Sequence, residues 1–119
     1  MRVRAAVLRK MGSPLTVEEL ELAPPRAGEV QVRVAAAGVC HSDVHLADGH
    51  LGTDRQPIVL GHEGAGVVEA VGEGVRNVAP GDRVGFCFVA SCRTCARCLG
   101  GQPNLCIPAN ATMHEIVSG

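Results

Sequence analysis

The strongest constraint on this chain is the spacing Cys92-x2-Cys95-x2-Cys98-x7-Cys106. Three thiols on successive turns and a fourth returning after seven residues suit one tetrahedral ion, because zinc takes four thiolates at about 2.3 Å. An iron–sulfur cluster and a disulfide knot are the alternatives. Spacing and compartment favour structural zinc. The first ten residues carry charge at both ends of a short apolar stretch, unlike the apolar core of about 7–15 residues in a signal peptide. The expected setting is therefore cytoplasmic and reducing, where six cysteines point to metal rather than to disulfides. A closed four-sulfur site stabilises a loop and leaves no position open for chemistry. Arg93 and Arg97 lie between the ligands and would offset their negative charge.

Outside that lobe the chain reads as strand and turn. It has 15 Gly and 7 Pro but only two aromatics, Phe86 and Phe88, so the core must come from Val, Ala and Leu. Alternating or β-rich runs predict strands over 2–9, 15–22, 29–37, 65–71, 83–89 and 111–117. The first two read as a hairpin, and Val30, Val32 and Val34 would face inward. Residues 41–47 predict one or two helical turns starting near His41 or Ser42, and 48–57 a polar loop. Turn signals every 8–12 residues or so favour an all-β sandwich or barrel over βαβ units. Cys87, inside a predicted strand, reads as core. A formal charge of −1 gives no basic surplus for nucleic acid or an anionic membrane. No apolar run approaches the ~18 residues of a membrane span.

A second group of chemistry-bearing residues precedes the lobe. Cys40 follows a predicted strand and Gly38, with His41, Ser42, Asp43 and His45 just beyond, and His62-Glu63 comes later. Cys40 and His62 are candidate zinc ligands, Asp43 could accept the second N–H of His62, and Glu63 could approach the metal. Each also has a plainer reading, since a lone Cys is usually a small buried hydrophobe.

Four motifs together resemble the zinc-containing alcohol dehydrogenases of the medium-chain dehydrogenase/reductase superfamily. They are Gly61-His-Glu-x2-Gly66-x5-Gly72-x2-Val75, the GVCHSDVH segment at 38–45, Ala79-Pro-Gly-Asp-Arg-Val84, and the four-cysteine lobe. The resemblance covers residues 3–106, and the wording of the lobe is similar to a class III-like branch. It implies a mainly β, GroES-like, partly open barrel with short helices and a Cys-rich zinc lobe at 91–106. It also implies that Cys40 and His62 are two of three protein ligands to a catalytic zinc, with Glu63 beside them. Ser42 would bond the alcohol and pass its proton towards His45, Asp43 would orient His62, and His41 would sit near the cofactor pyrophosphate. The roles make chemical sense: a Lewis acid favours hydride loss from an alcohol, and a hydroxyl and a histidine in line carry the proton away.

The same family implies NAD(P) and a small-molecule alcohol or aldehyde. No G-x-G-x-x-G follows a strand, so the Rossmann half is expected to be absent from residues 1–119. The third catalytic cysteine is not found either. Residues 107–119 read as a shortened, atypical tail, in which His114 or Glu115 is a weak substitute ligand. Two functions compete: the zinc-bearing half of an alcohol dehydrogenase, and a zinc-stabilised β-barrel module without turnover. For these residues alone the second is favoured, because a nicotinamide needs a preorganised site beside the zinc. An oligomerising, chaperonin-like module is a third reading. A separate cofactor-binding domain and self-association are the expected partners, through a surface left open by the missing half.

Overall fold

The computed structural model describes residues 1–51 and 56–109. In chain order the elements are β1 (Arg2–Leu8), β2 (Thr16–Glu21), β3 (Val30–Ala37), α1 (His41–Ala47), β4 (Ile58–Val59), β5 (Gly64–Val71), β6 (Arg83–Gly85) and α2 (Ala96–Leu99), then a 3-10 turn at Pro103–Leu105. The strands form two three-stranded sheets, ordered β2-β1-β4 and β3-β5-β6. Every described pairing is antiparallel. The fold is mainly β, as expected, and these sheets do not close into a barrel. No described helix is long and apolar enough to cross a membrane.

The predicted hairpin forms, with register running from Arg2↔Glu21 to Val7↔Thr16. Its inner end supplies Val7 and Leu8 to the core, joined by Val68 and Cys106. Arg9 forks onto Glu18 across the hairpin, with Nε donating to Oε1 at 2.9 Å and Nη2 bonding Oε2. The Thr16 hydroxyl adds a bond of 2.6 Å to the same carboxylate. These donors hold the Glu18 carboxyl down at about 2, the Arg9 bond being the larger cause. A depressed carboxylate stabilises the fold above its unfolded value, and that contribution is lost as pH falls through the folded one. Glu18→Gln is therefore expected to flatten the loss of stability between about pH 4.5 and 2, read by urea melts across that window.

Three sequence expectations need correction. The strand predicted over 83–89 stops at Gly85. Its partner β5 begins at Gly64, which accepts the Phe86 N–H at 2.7 Å, so later residues have no ladder to extend. Cys87 consequently lies outside a strand and is exposed rather than core. Val30 and Val34 are 37% and 52% exposed, because period two sets the face but burial also needs a facing layer. The short strand β4 carries too little pattern to be read from sequence, since it pairs only Val7↔Val59 and Leu8↔Ile58. The predicted strand at 111–117, with His114 and Glu115, lies outside the described residues.

The spaced glycines of the 61–75 motif have a steric origin. A Cβ on Gly66 would collide with the Arg33 carbonyl and come within 2.8 Å of Val32 Cγ1. One on Gly72 would collide with the carbonyl of Arg26. Both glycines let β5 lie close against neighbouring backbone.

Candidate metal centres

In the lobe, a loop, α2 and the 3-10 turn fold the four sulfurs inward, and Cys106 is fully buried. Arg93, between the first two cysteines, takes φ 61°, the left-handed conformation that turns the chain back there. Cys92 Sγ lies 4.0 Å from Cys98 Sγ, and Cys95 Sγ 3.6 Å from Cys98 Sγ. Two thiolates on one tetrahedral zinc stand about 3.8 Å apart, so the spacing fits the ion. All four ligand atoms fall within 4.8 Å of one another.

The surroundings of these sulfurs fit a cation as well. The Cys95 N–H donates to Cys92 Sγ at 3.3 Å, and the Cys92 N–H to Cys106 Sγ at 3.2 Å. The Thr94 hydroxyl bonds Cys92 Sγ at 3.5 Å and is the main reason that thiol is pulled down to about 6. Cys95 is lowered too, chiefly by the Cys98 backbone N–H. Burial pushes Cys98 up to about 12, and the Cys95 bond adds to this. Four sulfurs this close cannot all ionise without a shared positive charge, and a metal that binds them must release protons. No disulfide links them. Arg97 bonds Gln102 Oε1 at 3.0 Å, while Arg93 makes the turn.

The second centre is set by strand register. β3 and β5 end their ladder at Ala37↔Gly64. Cys40 follows Ala37 by three residues and His62 precedes Gly64 by two, so the two arrive at one edge of the sheet. Cys40 Sγ, a His62 ring nitrogen and a Glu63 carboxylate oxygen lie within 4.8 Å of one another. The predicted pair is thus brought together, with Glu63 as a third group. Gly38 makes room for it: its N–H donates to the Glu63 carbonyl at 2.7 Å, and a Cβ there would strike the Glu63 carboxylate.

α1 begins at His41, as expected, and Cys40 is its N-cap. Asp43 serves both parts of the centre. Its Oδ2 accepts the Cys40 N–H at 3.0 Å, closing the first turn of α1. Its Oδ1 lies 3.4 Å from His62 Nδ1, which leaves Nε2 as the other ring position. The Ser42 hydroxyl hydrogen-bonds the Cys40 sulfur and is the first cause of that thiol's lowered value, with His62 contributing. His62 is raised, mainly by its bond to Cys40. A thiol with a lowered value in contact with an imidazole is a donor pair that suits a soft divalent cation.

Sequence reasoning missed the wall of this centre. Past β6, Phe86 packs on Gly64, and the Phe88 ring centroid stands 5.5 Å from that of His62. The alternation of 83–89 put both rings on one side, but reading the stretch as strand hid their use as a cover. The His41 and His45 rings meet at a tilt on α1 with centroids 4.5 Å apart, and His50 adjoins His45.

Comparison with known proteins identifies the family. Residues 26–119 match the family profile described as the alcohol dehydrogenase GroES-like domain. An NDMA-dependent alcohol dehydrogenase of Amycolatopsis methanolica is 55% identical over 106 residues, covering 89% of this chain and 28% of the relative. An S-(hydroxymethyl)glutathione dehydrogenase of Komagataella pastoris is 47% identical over 115 residues, covering 97% of this chain and 30% of the relative. The crystal structure of an alcohol dehydrogenase zinc-binding domain protein from Burkholderia ambifaria superposes with a TM-score of 0.82 at 44% identity, over 93% of this chain and 30% of that one. The chain therefore spans under a third of the length of these relatives, and it belongs to the alcohol dehydrogenase GroES-like domain family.

Proposed function

We propose that residues 1–119 form the zinc-bearing catalytic portion of an alcohol dehydrogenase, an oxidoreductase that interconverts an alcohol and an aldehyde or ketone with NAD(P). The observation that carries the reading is the meeting of Cys40, His62 and Glu63 at one sheet edge, with Asp43 behind His62. In this reading Cys40 and His62 hold the catalytic zinc, and Cys92, Cys95, Cys98 and Cys106 hold a structural one. A catalytic zinc, when bound, supplies Lewis acidity towards the alcohol oxygen. Asp43 fixes the tautomer and tilt of His62. Glu63 is the carboxylate poised beside the two ligands. Ser42 bonds the substrate hydroxyl and hands its proton to His45, while His41 lies on the side of the cofactor phosphates. The Phe88 ring stands beside His62 and bounds one side of the centre. The nicotinamide comes from a cofactor-binding domain, and the free thiols support a cytoplasmic setting.

Cobalt substitution tests the reading, because thiolate-bound Co2+ absorbs visibly and responds to its ligands. The chain with Co2+ in both centres is expected to change its visible bands on addition of a primary alcohol or aldehyde, and His62→Ala to abolish the response. Bands indifferent to alcohol would favour the non-catalytic zinc module instead.

A further inference from the structure

We propose that His50 is the outer step of the proton path: it takes the proton from His45 and gives it to water. The inference rests on the function proposed above, which brings the proton as far as His45. His45 is half-buried on α1, and His50 is exposed in the turn behind that helix. Their Nδ1 atoms are hydrogen-bonded at 3.4 Å, with the rings edge to face. Among the described residues, His50 is the hydrogen-bonded partner of the His45 ring.

Backbone sets this contact. The His50 and Leu51 N–H groups both reach the His45 carbonyl, at 2.8 and 3.3 Å, and Gly49 takes φ 80° to allow it. The turn between β1 and β2 braces the same corner. Its Gly12 N–H donates to the Ala47 carbonyl at 2.7 Å, and Met11 packs so closely on Gly49 that a Cβ there would lie 3.3 Å from its Sδ. His50 is therefore carried to His45 by the turn, five residues on from it, and not by helical spacing.

Imidazole suits the task because it has one nitrogen to accept a proton and another to release one. In the resting pair a single proton lies between the two Nδ1 atoms, on the His45 side. A proton arriving at His45 Nε2 makes that ring cationic, and its Nδ1 proton passes to His50 Nδ1. His50 then loses its Nε2 proton to water. One proton enters and one leaves, both rings end neutral, and exchange with water restores the starting tautomers. Because His50 acts through His45, it is a positioning residue for this path.

Two measurements on the 119-residue chain test the step. Long-range proton–nitrogen NMR reads which ring nitrogens carry protons, and His45 is expected to be protonated at Nδ1 and His50 at Nε2. Both rings protonated at Nδ1, or both at Nε2, would overturn the shared proton. In the second, the chain loaded with Co2+ is mixed rapidly with trifluoroethanol beside a pH-indicator dye. Proton release is expected to keep pace with the change in the cobalt bands, and in His50→Gln to lag it by at least about tenfold, a modest part of the 10²–10⁴-fold that a placed proton carrier supplies. Added imidazole should restore the rate. A His50→Gln chain that releases its proton as fast as the native one, or one that imidazole does not rescue, would overturn the relay. Cobalt bands that ignore the alcohol would instead count against the dehydrogenase reading, and the ring tautomers would still decide whether the two histidines share a proton.

Discussion

Cys95→Ser is expected to lower the melting temperature by more than about 10 °C, the scale of a loss of roughly 3 kcal/mol in a domain of this size. The lobe has little else to hold it. Its two helical pieces are Ala96–Leu99 and Pro103–Leu105, too short to persist alone, and Cys106 is its only fully buried side chain among the described residues. Binding energy at such a site is folding energy, because the ligands come together only in the folded lobe. Serine keeps the shape but gives up the thiolate, and it leaves Cys98 facing fewer partners. Bound zinc should fall by one equivalent, with the Cys40–His62 centre unaffected. Calorimetry with metal analysis on the same sample checks both. An unchanged melting curve would remove the structural role assigned to the four sulfurs.

Gly66→Ala should damage the fold and the Cys40–His62 centre together. The new methyl would meet the Arg33 carbonyl and Val32 Cγ1, and a backbone carbonyl inside a ladder cannot swing aside. Overpacking of this kind costs about 1–3 kcal/mol, and the upper end is expected here. The relief available is for β3 and β5 to part. Cys40 hangs from the end of β3 and His62 from the start of β5, so parting the strands parts the ligands. Zinc affinity at that centre should drop about tenfold, the size seen when supporting groups around a metal are disturbed. Gly85→Ala is the matched control, since β6 leaves open space at that position and both properties should stay near native. Equal losses in the two variants would show that the close approach of β5 to β3 is not what holds the centre.

How far the sequence reveals this molecule depends on which physical signal each part carries. The four-cysteine lobe is legible because ligand spacing is local, and the sulfurs meet over fifteen residues of chain. Five of the described strands are legible because period-two alternation survives in the letters. Cys40 and His62 are different. Twenty-two positions apart, they meet only through the β3–β5 register, which no local pattern specifies. Family resemblance supplied that pairing, and the close approach at Gly66 gives it a cause. Phe88 as a wall for His62, and β6 stopping at Gly85, depend on where the partner strand begins. The same holds for the pairing of His50 with His45, which follows from a turn at Gly49 and not from spacing along α1.

Whether one small domain holds two separate zinc centres is decided by metal analysis of the purified chain at low zinc excess. Two tightly held equivalents are expected for the native protein and one for Cys40→Ser. A single equivalent in the native protein, unchanged in Cys40→Ser, would rule out the Cys40–His62 centre.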